Sequence, residues 1–535
     1  MDNVEDSSIA YRDVLQLFKE WRAFEEPGKT HHAPDYSPAA REAQFAQLAP
    51  YRQRAAAIDV AELTRAQRVD LEMIRCEMNG FEYTHRFFRP WERDPCYYNL
   101  VRGGGNDIPG WHVPHMHNVL IPEWLKYPLD DEAYQKLEQQ LSGIPHLLAQ
   151  AKTNLVGDHK YFYTCAIQGK PREIGVLQNL AERLGEHHPE LVEKVEAAIA
   201  AGEDFLVWLE KRHAEMDDCG VGIGIEAYNW SMKHVHRVPY DWHQQEDILQ
   251  RELDRAWASM ALEEHRNRDL EPLSLPKSRP EQNQSGDEAG KHYVKHLRDM
   301  GLTELADWAD RRHKPSTDDR PLTPLADYSF FHHVLIRNQL PLRPHQVHFF
   351  DLYQQSIDEH PIRRHTPLYQ TWLFRCEGFA TAFEEVLMQS GLEDSVPRAR
   401  ELVHICAAFR AARALGALRV HGKGWTLQQA VDFAVKYTPR GWLKPDGELL
   451  TADMNTYLRQ PEYGPSYTVG KVQVERLIAD RVEQLRDTFS FSAFFKDYFA
   501  CGMIPASLIR WELTGKDDEL KKMGVMVAGN SPLPS

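Results

Sequence analysis

Apolar positions recur at the three-and-four spacing of an amphipathic helix along most of this chain. Residues 9–23 set the pattern, with Val14, Leu15, Leu17, Phe18 and Trp21 falling on one face. The same spacing predicts helices over 64–80, 130–153, 189–215, 243–266, 289–311, 369–391, 397–415, 426–436 and 467–487. Alternation at the strand period is rare and short. The pattern predicts an all-α protein.

Two stretches interrupt it. Residues 269–290 combine proline, serine, glycine and charge, which marks a surface loop or linker between an N-terminal half (about 1–268) and a C-terminal half (about 291–535). Arg89 to Pro122 is dense in proline, glycine and aromatics and cannot form a long helix, so it is expected to be an extended excursion. Helices of similar character resume after each break. The expectation is one large helical unit of 535 residues, with 269–290 as a loop on it.

Composition narrows the class. Apolar residues make up 42% and charged residues 27%, enough for a sizeable core. A formal net charge of −16 speaks against nucleic acid or an anionic membrane as partner. No stretch approaches the roughly 20 apolar residues of a membrane-spanning helix, and the acidic start Met1-Asp2-Asn3-Val4-Glu5-Asp6 is no secretory signal. The seven cysteines are scattered, with no CxxC pair, as in reduced cytoplasmic proteins. A cytoplasmic location is expected, and a homodimer is left open. Gly103-Gly104-Gly105 and residues 220–224 lack the spacing of a dinucleotide or phosphate loop, so NAD and ATP are not expected. Ser466 lacks a nucleophile elbow.

The C-terminal third carries the strongest motif. Pro461, Gly464, Ser466, Tyr467 and Gly470 precede a helix, and Gly502 and Pro505 end the next one. Upstream, Glu377-Gly378-Phe379-Ala380 is followed by Phe383-Glu384-Glu385. These segments resemble the zincin-like family called domain of unknown function 885. The resemblance implies a helical enclosure in two halves around a central cavity. It also implies a His-Glu-x-x-Pro-Gly-His-His stretch upstream of Glu377, with two histidines and the downstream glutamate holding a metal.

No such stretch occurs here. Anchoring on Pro361 places Ile357-Asp358 and Ile362-Arg363-Arg364 where the ligands are implied. Other histidines come in groups: His112, His115 and His117; His234, His236 and His243; His332 and His333; His360 and His365; and His345 with His348, three apart as on one helical face. With 26 histidines such groups arise by chance. The expectation is therefore a cavity without a metal or other cofactor, doing acid–base chemistry on a small, aromatic molecule, with a lyase reaction fitting best. Glu377, Tyr467, His365 and His348 are the expected catalytic groups, and Arg363, Arg364, Arg375, Tyr463 and Trp372 the substrate-binding ones. Two alternatives stand beside it: a metallohydrolase of peptides or esters with a different ligand set, and a catalytically dead relative that binds a ligand.

Overall fold

Where the apolar spacing is regular, the helices form and their ends are chemically marked. In the computed structural model, which describes residues 8–99, 120–217 and 220–525, the first run becomes the helix Ile9–Glu25, with the Ser8 side chain accepting from the Tyr11 N–H. Capping boxes, in which the cap side chain and a glutamine three residues on satisfy each other's N–H groups, start Arg65–Tyr83, Trp242–Arg266 and Leu427–Tyr437. Among the described residues the fold is all helical, apart from an antiparallel pair of two-residue strands, Lys29–Thr30 and Ala33–Pro34. No helix there is long and apolar enough to cross a membrane.

Several elements depart from expectation, each for a local reason. The 289–311 run is two helices, Arg279–Asp299 and Thr303–Arg312, parted at Gly301, whose φ of 77° suits glycine. The irregular span after residue 268 is correspondingly shorter. Pro280 looks like a helix breaker in the sequence, but it sits in the first turn behind the Ser278 cap, where its missing N–H is no loss. A helix over Lys160–His187 has no counterpart in the sequence reading; it carries Pro171 internally. In the Arg89–Pro122 excursion, Pro90–Arg93 and Pro95–Tyr98 form short helical turns that bury Trp91, Tyr97 and Tyr98. Residues 100–119, with His112, His115 and His117, lie outside the described residues.

Packing does not divide the chain at 269–290. The helices Asp131–Asn154, Lys160–His187 and Val192–Glu215 share an apolar cluster with Tyr36 and Trp91. Trp242–Arg266, from the N-terminal half, is instead part of the C-terminal core. Its Leu249, Leu253 and Ala256 meet Ala408, Ala411, Leu415 and Leu418 of the helix Ala399–Lys423. The functional region rests on the crossing of two further helices, Leu373–Gln389 and Tyr463–Leu485, which touch at Gly378 and Gly470. A β-carbon on Gly470 would lie 2.2 Å from the Phe374 carbonyl oxygen and 2.8 Å from the Gly378 α-carbon. Only glycine permits that approach, and it brings Glu377 opposite Tyr463 and Tyr467.

Candidate metal centre

Glu377 is buried on its helix, and the residues that face it come from three other segments. Pro341 and Pro344 open two short 3-10 turns, Leu340–Leu342 and Pro344–Gln346, that lead into the helix Val347–Ile357. This turn-then-helix path puts His345 and His348 on the side facing Glu377. One ligand-type atom from each of His345, His348 and Glu377 lies within 4.8 Å of the others. His345 Nε2 stands 3.3 Å from Glu377 Oε2.

The surroundings fix how these groups present themselves. Glu384 follows Glu377 by two helical turns and lies on the same face. Its carboxylate accepts two hydrogen bonds from Arg410, at 2.6 and 2.7 Å, in a buried fork-to-fork pair. Glu384 Oε1 also lies 2.9 Å from His345 Nδ1. Arg410 Nη2 approaches the same nitrogen at 3.4 Å, but the shorter contact to the carboxylate assigns the Nδ1 proton to the Glu384 bond. That tautomer leaves the Nε2 lone pair turned towards Glu377 and His348. On the other side the Tyr463 hydroxyl donates to Glu377 Oε1 at 3.0 Å. The Tyr467 ring lies nearly parallel to the His345 ring, with centroids 6.0 Å apart, and Arg413 stands over its other environment at 4.8 Å from the ring centroid.

Charge follows from this packing. Burial works against ionised Glu377, but His345 at its side, with His348 and the Tyr463 hydroxyl, holds its carboxyl below the ordinary range. Glu384 is likewise opposed by burial and held low by Arg410 and His345. Burial and Arg410 push the His345 pKa down, yet the two carboxylates outweigh them and leave it raised. Burial drives the His348 pKa down to about 4, with Glu377 opposing only in part, and it is a neutral imidazole at pH 7. Burial raises Tyr463 and Tyr467 well above the ordinary phenol value, so both are neutral donors.

Three polar atoms remain unmatched. Both ring nitrogens of His348 and Glu377 Oε2 are buried without a hydrogen-bond partner. Orphaned buried atoms are uncommon and call for an explanation. Two imidazoles and a carboxylate, one imidazole oriented by an outer carboxylate, are the donor set that suits a divalent cation such as zinc. The residues present fit a cation, the donor set that the alternative of a metallohydrolase with a different ligand set calls for.

The structure brings together Glu377, Tyr467, His348 and Tyr463 of the expected residues. The others lie elsewhere. Arg363 is buried and holds Asp70 at 2.9 Å and both oxygens of Glu512 at 2.9 and 2.8 Å, which ties the 358–366 segment to two helices away from the cluster. Arg364 and His365 are exposed and contact each other, with His365 against Phe18. Trp372 is buried in the apolar core. Arg375 pairs with Asp351 beneath Phe379 and Tyr498. The segment anchored on Pro361 packs away from Glu377, and the histidines that face it, His345 and His348, lie further upstream. The sequence pairs His345 with His348 at helical spacing but leaves His345, Glu384, Arg410 and Arg413 out of the expected site residues. The available signal was the HxxH spacing of His345 and His348 together with two glutamates seven residues apart.

The profile of the family described as "Bacterial protein of unknown function (DUF885)" matches residues 345–513, a span that opens on His345 and includes Glu377 and Tyr467. No protein with a curated description matches the chain. Two solved structures are similar to it. One, described as a "putative lipoprotein of unknown function" from Shewanella oneidensis, has a TM-score of 0.64 at 15% identity, covering 94% of this chain and 98% of its own. The other, a "putative lipoprotein" from Colwellia psychrerythraea, has a TM-score of 0.64 at 16% identity, covering 95% of this chain and 98% of its own. At such identity the likeness shows a shared fold. Their descriptions lend no support to the cytoplasmic expectation.

Proposed function

We propose that this protein is a metal-dependent hydrolase acting on an ester or amide carbonyl. The observation that carries the reading is the convergence of unpartnered His348 and Glu377 Oε2 on a His345 whose tautomer Glu384 sets. His345 Nε2, a ring nitrogen of His348 and Glu377 Oε2 would hold the cation. A divalent cation there supplies Lewis acidity, polarising a carbonyl and lowering the pKa of water.

The chain's own groups divide the remaining work. Glu384 and Arg410 keep the His345 lone pair aimed and its other nitrogen protonated. Tyr463 holds Glu377 through one oxygen and leaves the other free. Tyr467, neutral at physiological pH, donates a hydrogen bond to the oxygen on which negative charge develops, a contribution worth about 3 kcal/mol in comparable sites.

The test is metal analysis of the purified chain with a zinc titration. One equivalent of divalent cation, lost in His348→Ala and in Glu377→Gln, supports the reading. Failure of the intact chain to bind any divalent cation refutes it. A second reading, acid–base chemistry without metal of the kind a lyase uses, is favoured by one observation: His345 lies between two carboxylates that raise its pKa. Stoichiometric metal would refute it.

A further inference from the structure

Away from the histidine cluster, the helices Arg279–Asp299 and Thr303–Arg312 and the segment 339–349 enclose a cavity of about 420 Å³. Its charge is unusual for a chain of net charge −16. Arg312, Lys314 and Arg343 line it, and none of them forms an ion pair among the described residues. Arg343 is half-buried and donates to the Gly286 carbonyl and to Gln339 Oε1, both at 2.9 Å. Burial pulls its pKa below the ordinary guanidinium value, with Tyr293 and Asp287 opposing only in part. The acids on the wall are already engaged. Asp287 is bound by Lys291 and His313, and Asp318 by Arg320 and Arg279. The apolar part of the wall is aromatic: Arg312 lies over both Trp308 and Phe349, at 5.1 and 5.9 Å from their centroids.

The wall is also shaped by two glycines in the middle of a helix, where glycine is less favourable than alanine. A β-carbon on Gly286 would lie 2.5 Å from Gln339 Nε2, and one on Gly290 would lie 2.2 Å from His313 Cε1. The glycines let two lining side chains seat directly on the helix backbone. Uncompensated cations beside an aromatic wall are complementary to a compact dianion that carries a ring. Arginine forks match phosphate oxygens, and the ring faces accept stacking.

We propose that this cavity is a second ligand site, which takes a small aryl phosphate with its phosphate between Arg312, Lys314 and Arg343 and its ring against Trp308 and Phe349. The site does not depend on the cation reading of the histidine cluster, and its ligand needs no metal. It bears on that cluster through the chain itself. Arg343 lies two residues before His345, and Phe349 directly follows His348.

Calorimetric titration of the full chain with phenyl phosphate, inorganic phosphate and benzoate tests the proposal. Phenyl phosphate should bind, and bind more tightly than either fragment. Arg343→Gln should weaken it roughly tenfold or more, the loss expected of one charge-assisted phosphate contact. Lys314→Gln alters an exposed side chain, so folding is not at stake, and it should weaken binding in the same direction. Equal affinity for phenyl phosphate in the intact chain and both variants overturns the site, as does the absence of phenyl phosphate binding. Binding of inorganic phosphate as tight as phenyl phosphate overturns the aromatic part of the assignment.

Discussion

Gly470→Ala adds one methyl group where two helices touch, and its consequence can be worked from the contact itself. The new β-carbon would stand 2.2 Å from the Phe374 carbonyl oxygen, and ordinary van der Waals contact begins at 3.4 Å, so the helices must part by about 1.2 Å at that point. Overpacking of this kind costs about 1–3 kcal/mol of stability. The same displacement moves Tyr463 and Tyr467 relative to Glu377, because these residues lie within two turns of the crossing on their respective helices. Tyr463 is the outer partner of Glu377, and disturbing such support costs about 10- to 100-fold in metal affinity. Urea denaturation and zinc titration of the same variant report the two effects separately. Gly169→Ala is the control: Gly169 is exposed in the helix Lys160–His187, nothing lies within 4 Å of its added methyl, and alanine there should stabilise by roughly 0.5–1 kcal/mol. If Gly470→Ala unfolds at the wild-type urea midpoint and binds zinc with wild-type affinity, the glycine crossing does not position the site.

Glu384→Gln should lower zinc affinity by about 10- to 100-fold while every ligand remains, because the His345 tautomer loses its outer carboxylate; competition with a chelating dye measures this. Glu393 is buried with both oxygens unpartnered, and burial raises its pKa to about 7. A carboxyl raised on folding favours the native state below its unfolded pKa, and that advantage is lost as pH climbs towards 7. Glu393→Gln should therefore gain about 3 kcal/mol relative to wild type at pH 8 and close to nothing at pH 4, read from denaturation midpoints at the two values. Arg363→Met strands Asp70, which is 1% exposed, and should destabilise by about 3–5 kcal/mol without changing zinc affinity; a loss of affinity at full stability would return Arg363 to the site.

The helical architecture was legible because it rests on periodicity, which survives in a single sequence. Ile9–Glu25, Arg65–Tyr83 and Asp131–Asn154 fall within a few residues of their predicted ends. The errors fall where proline changes meaning with position. Pro280 opens a helix that its neighbourhood suggested was a loop, and Pro171 sits inside one. Glu377 and Tyr467 were singled out because the segments that carry them resemble a family motif, and the reason they meet, the Gly378–Gly470 contact, appears only in the fold. His345 was visible as a partner of His348 at helical spacing, one histidine group among several, and its placement depends on two short proline turns that no periodicity describes.

The charged residues were harder to place for a different reason. Periodicity sorts side chains into a buried face and a solvated face, and it assigns charge to the second. The helix Ala399–Lys423 breaks that rule: Glu401, His404, Arg410, Arg413 and His421 are all buried on it, around a run of alanines that lets neighbouring helices close in from every side. An ionised side chain stays inside only with a partner brought from elsewhere in the fold, as Glu384 does for Arg410 and Asp453 for Arg413. Those partners lie tens of residues apart in the chain, so the pairs become visible only after folding. The same logic distinguishes Arg363, an expected site residue, from Arg410, which the sequence did not single out; both are buried. Arg363 is consumed by Asp70 and Glu512 and can only hold the fold together, whereas Arg410 grips a carboxylate whose other contact is a histidine of the candidate metal centre. What a buried charge does is decided by what its partner touches next.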